Sequence, residues 1–402
     1  MEVTGEVADA SRIASFLVSL DGADCTPPLD LGERKSFAFK LHLDTTRLED
    51  GKHTLTVTAA DAQGRSSTAA ATFYTENRPP VIALTFEPNR VDQGRTLVVR
   101  LQSNRKLYDL TGKLWEQEFP FFKTDDGFVS IVGVRASCPP GDYPVEVTGF
   151  DAYDKPLSLK GTVSVTDGGY IQERITIAAA DKKALFDPAL EEKKMLEYRK
   201  VQTIITRVRQ EQLWAGTFVV PAPGKVTSPF GTHRTFSTGG SERHMGIDIA
   251  NKEGTPVRAA NRGVVMLAEE LLVRGKAVII DHGRGVFTIY NHLSGITVKP
   301  GDAVEKGHVI GYIGSTGLAT GPHLHWEMRV FRWVIDPMQW TTTSFTYRDA
   351  QAEAEAVAAA EAAYQRELAR ELPPPLEPTG GDLKAGEMLP DEGESKRNET
   401  GV

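Results

Sequence analysis

Cysteine is nearly absent from this chain: only Cys25 and Cys138 occur among its 402 residues. Two thiols are too few for a disulfide framework or for a zinc site built from cysteines. We therefore expect both to be unpaired, and they leave the redox compartment of the protein open.

Long apolar runs and basic runs are also missing. No apolar stretch approaches the roughly 18 residues of a membrane-spanning helix, so we expect no membrane span in this chain. No run is rich in lysine and arginine, and the formal net charge is −8, which argues against broad binding to nucleic acid. The N-terminal stretch MEVTGEVADASRIASFLVSL lacks the charged start and apolar segment of a secretory signal, and alone it favours the cytoplasm.

The N-terminal half contains a weak internal repeat. The segments at 51–62 and 141–152, GKHTLTVTAADA and GDYPVEVTGFDA, alternate apolar and polar residues and then reach an Asp-containing turn. A second alternating stretch follows each copy, which is typical of strand–turn–strand structure with one buried face. Two such copies predict tandem β-sandwich modules, similar to immunoglobulin-like modules, over residues 1–78 and 79–168. ENRPP, which ends at Pro80, is interpreted as the linker between them.

The rest of the chain changes its period. Apolar residues at helical spacing from Asp187 to about Trp214 predict an amphipathic connecting helix within a linker at 169–215. Short β-branched runs broken by glycine turns then predict a compact antiparallel β domain at 216–343. An Ala/Glu-rich helix at 344–372, which we expect to be loosely attached, precedes a tail at 373–402 that we expect to be acidic and disordered. The predicted fold class is therefore mainly β.

Histidines are concentrated in the predicted β domain. His323 and His325 stand one residue apart in GLATGPHLHWEMRV, and on a strand they would point to the same face. The same domain contains His244 and Asp248 in RHMGIDIA and His292 in YNHLS. Imidazoles with a carboxylate form a ligand set suited to Zn²⁺, whose catalytic sites combine three protein ligands with an open position.

The spacing of His244 and Asp248 requires a bend in the chain. In an extended strand they would lie about 13 Å apart, too far to share one ion. A helix would bring them together, but Gly246 and the β-branched Ile247 and Ile249 argue against a helix. We therefore expect the backbone to bend at Gly246, because glycine permits unusual backbone angles.

The β domain carries an ordered series of motifs: SPFGTHR, HMGIDIA, GTPV, GVV, VIIDHGRG, YNHLS, VKPGD, VEKGHVIGYIGSTG and GPHLHWE. In this order they resemble the lysostaphin/LytM-type zinc endopeptidases of the bacterial cell wall. The resemblance covers roughly Pro221 to Pro337 and leaves the N-terminal modules and the tail outside. Each motif alone is a weak signal, and the resemblance depends on the whole series.

The resemblance implies that His244, Asp248 and His325 bind Zn²⁺, with His292 and His323 as a catalytic pair beside the metal. All five positions carry the expected residue type. It also implies an endopeptidase that cuts stem peptides or cross-links of peptidoglycan, with Zn²⁺ activating water and polarising the scissile carbonyl. The two histidines would move protons or stabilise the oxyanion, and the sequence leaves open which does which.

An extracytoplasmic location, in the periplasm or cell envelope, is a further implication of the resemblance. It disagrees with the missing secretory signal, so we expect either a leader or anchor before Met1 or a mis-set start. An envelope protein is a candidate partner, through the immunoglobulin-like modules or the Ala/Glu-rich helix.

Four more polar residues of the β domain are weaker candidates. Arg234 and Thr232 precede the first implied ligand and are hypothesised to line the cleft, where Arg234 would meet a substrate carboxylate. Glu327 shares a strand face with His325 and is interpreted either as an acceptor for a ligating imidazole or as a salt-bridged strand residue. His282 is expected to be a turn or core histidine rather than a ligand.

Two other functions stay open. A non-catalytic envelope scaffold or amidase activator would bind peptidoglycan through the same domain, although proteins of that kind usually lack some ligands. An endopeptidase for a proteinaceous substrate, such as a surface layer or an elastin-like target, is the third hypothesis. If the protein is an enzyme, we expect the N-terminal modules to be dispensable for the hydrolysis of small peptides.

Overall fold

The structure is a computed structural model that describes residues 1–78, 81–175, 188–237, 240–348 and 350–370. This part of the chain is mainly β, as predicted. The predicted tail at 373–402 and the Pro-Pro end of the ENRPP linker lie outside the described residues. No helix within these ranges is both long and apolar enough to cross a membrane.

The first module consists of two small antiparallel sheets. Its strands are β1 (Glu2–Ala8), β2 (Ile13–Leu20), β3 (Ala23–Asp24), β4 (Ser36–His42), β5 (Gly51–Asp61) and β6 (Ser66–Thr75), with a 3-10 turn at Thr45–Arg47. β1 pairs with β4, and the other strands form a sheet in the order β3-β2-β5-β6. Phe37 and Phe39 of β4 pack against Ile13 of β2 in the core between the two sheets.

The second module consists of two larger sheets. Its strands are β7 (Ile82–Glu87), β8 (Arg90–Asp92), β9 (Thr96–Ser103), β10 (Leu107–Leu114), β11 (Gln117–Pro120), β12 (Phe122–Thr124), β13 (Gly127–Gly133), β14 (Gly141–Asp151) and β15 (Pro156–Thr166). The strand orders are β11-β10-β14-β15-β8 and β12-β13-β9-β7. Leu97 and Val99 of one sheet share a buried core with Val145 and Val147 of the other.

The internal repeat corresponds to two hairpins. β5 and β14 are both 11 residues long and pair antiparallel with the next strand, β6 or β15. At the end of each long strand an aspartate, Asp61 or Asp151, accepts hydrogen bonds from the backbone N–H groups two and four residues later. The strand–turn–strand prediction is confirmed, and the immunoglobulin-like assignment of the modules stays a prediction. Cys25 and Cys138 are both unpaired.

The linker at 169–215 contains β16 (Gln172–Ile175) and α1 (Pro188–Ile205). The predicted helix was too long, because the chain after Ile205 becomes extended and bonds to the β domain. The Leu213 N–H donates to the His282 carbonyl of the β domain at 2.8 Å. In a helix that continued to Trp214, this N–H would instead bond to a carbonyl within the helix.

The β domain is organised around one ten-stranded sheet. The strands of the domain are β17 (Lys225–Ser228), β18 (His233–Phe236), β19 (Ser241–Arg243), β20 (Ile247–Ala250), β21 (Pro256–Arg258), β22 (Gly263–Leu271), β23 (Gly275–Gly283), β24 (Val286–Ile296), β25 (Ala303–Val304), β26 (Val309–Ile313), β27 (His323–Val330) and β28 (Trp333–Ile335). The main order is β17-β20-β27-β24-β23-β22-β25, with β21, β26 and β28 attached to it. Every pairing in this sheet is antiparallel, as predicted. β16, β18 and β19 form a separate sheet beside it.

Two helices follow the last strand of the β domain, α2 (Pro337–Thr342) and α3 (Ala350–Ala369). α3 is the Ala/Glu-rich helix, and the expectation that it is loosely attached is wrong. Near its start, the buried carboxylate of Glu353 accepts hydrogen bonds from the Gly216 N–H and from Arg348, both at 2.9 Å. Near its end, Glu367 lies 3.2 Å from Nδ1 of His308. Both ends of the helix are therefore held on the β domain.

The second module and the β domain share one hydrophobic core. Phe122 and Ile131 of the module belong to the same buried cluster as Trp340 and Tyr347. Two hydrogen bonds cross this contact: the Ile131 N–H donates to the Tyr347 hydroxyl, and the Trp340 indole N–H donates to the Thr96 hydroxyl, both at 3.0 Å. The second module is therefore packed into the domain that contains the histidines.

The first module contacts the second mainly through polar groups. The Tyr153 hydroxyl donates to the Thr75 carbonyl, and Arg105 pairs with Glu76. The buried apolar clusters of the described residues do not join the two modules. The second module thus shares a core with the β domain, whereas the first module is joined to the second mainly by polar contacts.

Candidate active site

The alternation of β27 produces the site. Leu324 and Trp326 are fully buried on one face, while His323, His325 and Glu327 share the other, as the sequence predicted. On the neighbouring strand β20, Asp248 lies directly opposite His325 in the antiparallel register. The sheet therefore brings a carboxylate and an imidazole together without any contribution from loops.

His244 lies in the bend between β19 and β20. Its backbone is fixed by two 2.8 Å hydrogen bonds, from its N–H to the Thr232 carbonyl and from the Gly231 N–H to its carbonyl. The predicted bend is confirmed, but the reason given for Gly246 is wrong, because Gly246 does not adopt a positive φ. A Cβ atom there would lie only 2.6 Å from Nε2 of His325, so glycine is needed to make room for that ring.

Three atoms that could bind one metal ion lie close together: Nε2 of His244, Oδ1 of Asp248 and Nδ1 of His325. Oδ1 of Asp248 lies 3.0 Å from His244 Nε2 and 2.8 Å from His325 Nδ1, and the two nitrogens are 3.1 Å apart. Ligand atoms at the usual distances from a tetrahedral Zn²⁺ lie about 3.3 Å from one another. The donor set and its spacing therefore fit zinc.

Each of the imidazoles of His244 and His325 has one ring nitrogen that faces Asp248 and one that contacts a group outside the site. Nδ1 of His244 lies 3.1 Å from the Pro229 carbonyl, which can only accept, so Nδ1 can keep its proton while Nε2 releases its own to bind a metal ion. Nε2 of His325 lies 3.6 Å from Oε1 of Glu327, which leaves Nδ1 as the ligating atom. Glu327 also pairs with Arg329 at 2.8 Å and with Arg274 at 3.3 Å. The salt-bridged interpretation of Glu327 is confirmed, and its role as an acceptor for a ligating imidazole stays a prediction.

The charges of the site suit a cation. Burial alone would raise the pKa of Asp248, but hydrogen bonds from His244 and His325 outweigh it and hold that pKa well below its usual range. Burial likewise favours neutral His325, while Asp248 and Glu327 raise its pKa to about 9. Burial would also raise the pKa of Glu327, but Arg329 and Arg274 hold it well below its usual range. Ionised carboxylates therefore lie inside the site and directly behind it.

His292 and His323 stand beside the three ligand residues. Their ring centroids are 4.9 Å apart, and that of His292 is 6.1 Å from the His325 ring. Nδ1 of each ring donates to a carbonyl at 2.8 Å, that of Thr316 for His292 and that of Gly321 for His323. Each Nε2 is therefore available as a proton acceptor. Burial, with smaller contributions from the neighbouring histidines, lowers the pKa of His292 to about 4.

The backbone of His292 is unusual for a residue with a side chain. Its φ is +63°, in the left-handed region, and an irregularity in the pairing of β24 with β26 follows it at Leu293 and Gly295. Its N–H donates to the Arg274 carbonyl at 2.8 Å, which holds the strained conformation in place. Residues in this region are concentrated at functional sites, where surrounding contacts sustain the strain.

The two weaker substrate candidates have different surroundings. Thr232 is fully buried and its hydroxyl donates to the Pro229 carbonyl, so its side chain is not available to a substrate, and that expectation is corrected. Arg234 lies at the site, where it donates to Ser228 at 2.7 Å and approaches Oδ2 of Asp248 at 3.8 Å. Its contact with a substrate carboxylate stays a prediction.

His282 is a core histidine, as expected. It is fully buried, and its two ring nitrogens lie 2.7 Å from the Arg262 carbonyl and from the Thr288 hydroxyl. Burial lowers the pKa of His282 to about 4, so the ring is neutral within the core.

Sequence reasoning missed two residues behind the site, Arg274 and Glu197. Glu197 lies four and eight residues before Val201 and Ile205, which are buried apolar residues of α1. A charged residue in line with the buried stripe of a helix is the signal that could have identified Glu197. Arg274 lies in a hairpin loop between β22 and β23, and its sequence carries no comparable signal.

The region that contains these residues is similar in sequence to known peptidases. The family described as Peptidase family M23 matches residues 242–337. The DD-carboxypeptidase/endopeptidase Mpg of Neisseria meningitidis serogroup B is 43% identical over 116 residues, which are 28% of this chain and 26% of that protein. The peptidoglycan DD-endopeptidase ShyA of Vibrio cholerae is 46% identical over 87 residues, 22% of this chain and 20% of that protein.

Among solved structures, the catalytic domain of lysostaphin from Staphylococcus simulans is 30% identical, covering 32% of this chain and 91% of that one, with a TM-score of 0.25. This chain thus spans about a quarter of the length of the curated relatives that it matches.

Proposed function

We propose that this chain, whose residues 242–337 form a domain of peptidase family M23, is a zinc-dependent endopeptidase that cleaves peptide bonds in the stem peptides or cross-links of bacterial peptidoglycan. The observation that carries the proposal is the convergence of His244, Asp248 and His325, whose ligand atoms all lie within 4.8 Å of one another. Three ligands with an accessible side are the arrangement of a catalytic zinc site.

The substrate class is supported by the names of the relatives. Mpg is named as a DD-carboxypeptidase/endopeptidase and ShyA as a peptidoglycan DD-endopeptidase. The match to the peptidase family covers residues 242–337, the part of the chain that contains His244, Asp248 and His325. Such a substrate lies outside the cytoplasm, so we propose an extracytoplasmic site of action, with an envelope protein as a partner through the N-terminal modules or α3.

The histidines beside the ligands supply the proton transfers. Bound Zn²⁺ would act as a Lewis acid toward the scissile carbonyl and lower the pKa of a water molecule. His292 donates Nδ1–H to the Thr316 carbonyl and is neutral near pH 7, so its Nε2 is suited to accept a proton from the attacking water. His323, whose Nε2 lies 3.7 Å from Oδ1 of Asp248, is then the group that orients the substrate, and it stabilises the oxyanion once Nε2 has taken up a proton.

The scaffold hypothesis is less well supported. A domain that only bound peptidoglycan would have no need for three converging ligands or for a histidine held at a φ of +63°. Here His292 and His323 lie beside the cluster of His244, Asp248 and His325, so proton acceptors and a carboxylate occur in one site. The proteinaceous substrate remains an alternative for the same catalytic apparatus.

Digestion of purified sacculi tests the proposal directly. The full-length protein should release cross-linked muropeptides cut at a peptide bond, and a zinc chelator should stop the release, because the ligands alone supply no Lewis acid. Mass spectrometry of the products with and without chelator identifies the bond. Binding to sacculi without any release would favour the scaffold, and cleavage of a protein substrate alone would favour the third hypothesis.

His292→Ala should retain zinc and lose turnover. Removal of the proton acceptor should lower kcat by about 10²–10⁴-fold, the usual contribution of general acid–base catalysis. His42→Ala is the matched control, because His42 is an exposed residue of β4 in the first module, whose strands carry none of the five site residues. Zinc content and kcat on purified muropeptides are the measurements, and full activity of His292→Ala would disprove the assigned role.

A further inference from the structure

We propose that Glu197 of the linker helix α1 is a positioning residue for the zinc site, acting on His325 through Arg274 and Glu327 and on His292 through the backbone of Arg274. This proposal rests on the proposed function of the site. It assigns to the linker, which precedes the matched domain, a part in forming the catalytic centre.

The first step is the contact between the helix and the loop before β23. The Glu197 side chain is buried, and its two oxygens accept hydrogen bonds from the Val273 N–H at 2.7 Å and the Arg274 N–H at 3.2 Å. The Arg274 guanidinium donates to the same carboxylate at 3.2 Å. One helix side chain thus fixes both the backbone and the side chain of Arg274.

The second step runs from Arg274 to a metal ligand. The other terminal nitrogen of the guanidinium donates to Oε1 of Glu327 at 3.3 Å. The same oxygen of Glu327 lies 3.6 Å from Nε2 of His325, the nitrogen that faces away from the metal. Groups behind a ligating histidine hold its ring orientation and raise its basicity, so the position of Arg274 reaches the ligand itself.

The third step runs through the Arg274 carbonyl, which accepts the His292 N–H at 2.8 Å. That hydrogen bond supports the left-handed backbone of His292. A shift of the loop would therefore move both a ligand and the proposed proton acceptor. The two routes share their origin at Glu197.

Packing alone does not account for a glutamate at this position. Val201 and Ile205 already bury the apolar face of α1 against the β domain. A buried carboxylate is costly unless it is fully paired, and an apolar side chain of similar size would dock the helix equally well. The negative charge of Glu197 is explained by its hydrogen bonds to the backbone and the guanidinium of Arg274, which it holds in place.

The test compares two full-length variants of the same helix. Glu197→Gln keeps the size of the side chain and removes its charge, while Lys200→Gln removes a different helix-to-domain ion pair, with Glu269, that does not reach the site. We expect zinc affinity, measured by competition with a chelator, to fall about 10-fold in Glu197→Gln, near the lower end for groups behind a ligand. Lys200→Gln should bind zinc as the unaltered protein does.

Two further measurements separate positioning from folding. Thermal unfolding of the zinc-free proteins identifies any variant that is simply unstable, and Arg274→Lys provides a second break in the same route, because one ammonium cannot bridge both carboxylates. The double variant should lose less affinity than the sum of the two single losses, as expected for residues acting in series.

Unchanged zinc affinity in folded Glu197→Gln or folded Arg274→Lys would overturn the inference, as would equal losses in Glu197→Gln and Lys200→Gln. Failure of the unaltered protein to bind zinc would instead overturn the proposed function. The two failures are therefore distinguishable within one experiment.

Discussion

Asp248→Asn should abolish zinc binding and lower the rate of hydrolysis about a thousandfold while the chain stays folded. Asp248 is the anionic member of the ligand set, and its Oδ1 contacts both His244 Nε2 and His325 Nδ1. Asparagine has nearly the same shape as aspartate but lacks the negative charge that attracts a divalent cation. Loss of several kcal/mol of charge stabilisation at the scissile carbonyl corresponds to about a thousandfold lower activity.

The measurements for Asp248→Asn are zinc content by elemental analysis and the rate of muropeptide release. Asp302→Asn is a suitable control, since Asp302 accepts a backbone hydrogen bond from Lys299 in an exposed turn of the same domain. A normal zinc content in Asp248→Asn would show that the ligand set is wrong. Normal zinc with lost activity would assign Asp248 a role other than ligation.

Removal of residues 1–168 should destabilise the peptidase domain severely, whereas removal of residues 1–78 should leave it folded and active. The second module contributes Phe122 and Ile131 to the core that contains Trp340, so its loss exposes large apolar side chains. The first module makes mainly polar contacts with the second. Solubility, thermal unfolding and hydrolysis of a small muropeptide by the two truncated proteins are the measurements.

A substitution in the full-length protein tests the same point without truncation. Phe122→Ala should lower the free energy of unfolding of the peptidase domain by about 3–5 kcal/mol, as expected for a buried aromatic ring. Phe37→Ala in the core of the first module is the control and should leave the peptidase unfolding transition unchanged. A stable, active protein without residues 1–168 would contradict this account of the shared core.

The expectation that both modules are dispensable for the hydrolysis of small peptides stays a prediction for the first module, and the shared core argues against it for the second. The repeat at 51–62 and 141–152 predicted sandwich strands with one buried face, but such a pattern does not say what covers the other face of a sheet. Val98 and Ile131 are buried against the β domain, and a contact between segments about two hundred residues apart leaves no local pattern. The same limit applies to α3. An Ala/Glu-rich sequence favours a solvent-exposed Glu353, but this side chain is buried and accepts a hydrogen bond from the Gly216 N–H.

The site itself was predictable to the level of residue type and order. The motifs supplied the three residues His244, Asp248 and His325. The pairing of β20 with β27 brings them together, because it places Asp248 opposite His325. What the motifs did not contain is the supporting structure behind them. Glu197 and Arg274 come from elements outside any motif, and the role of Gly246 depends on the position of the His325 ring in three dimensions.

The placement of two ligands on facing strands has a thermodynamic consequence. Asp248 and His325 are adjacent only in the native register of β20 and β27, and a slip by one residue would turn one of them to the opposite side of the sheet. An ion that binds both recognises the folded chain and not the unfolded one. Zinc occupancy and the conformational stability of this part of the sheet are therefore linked equilibria, in which each strengthens the other.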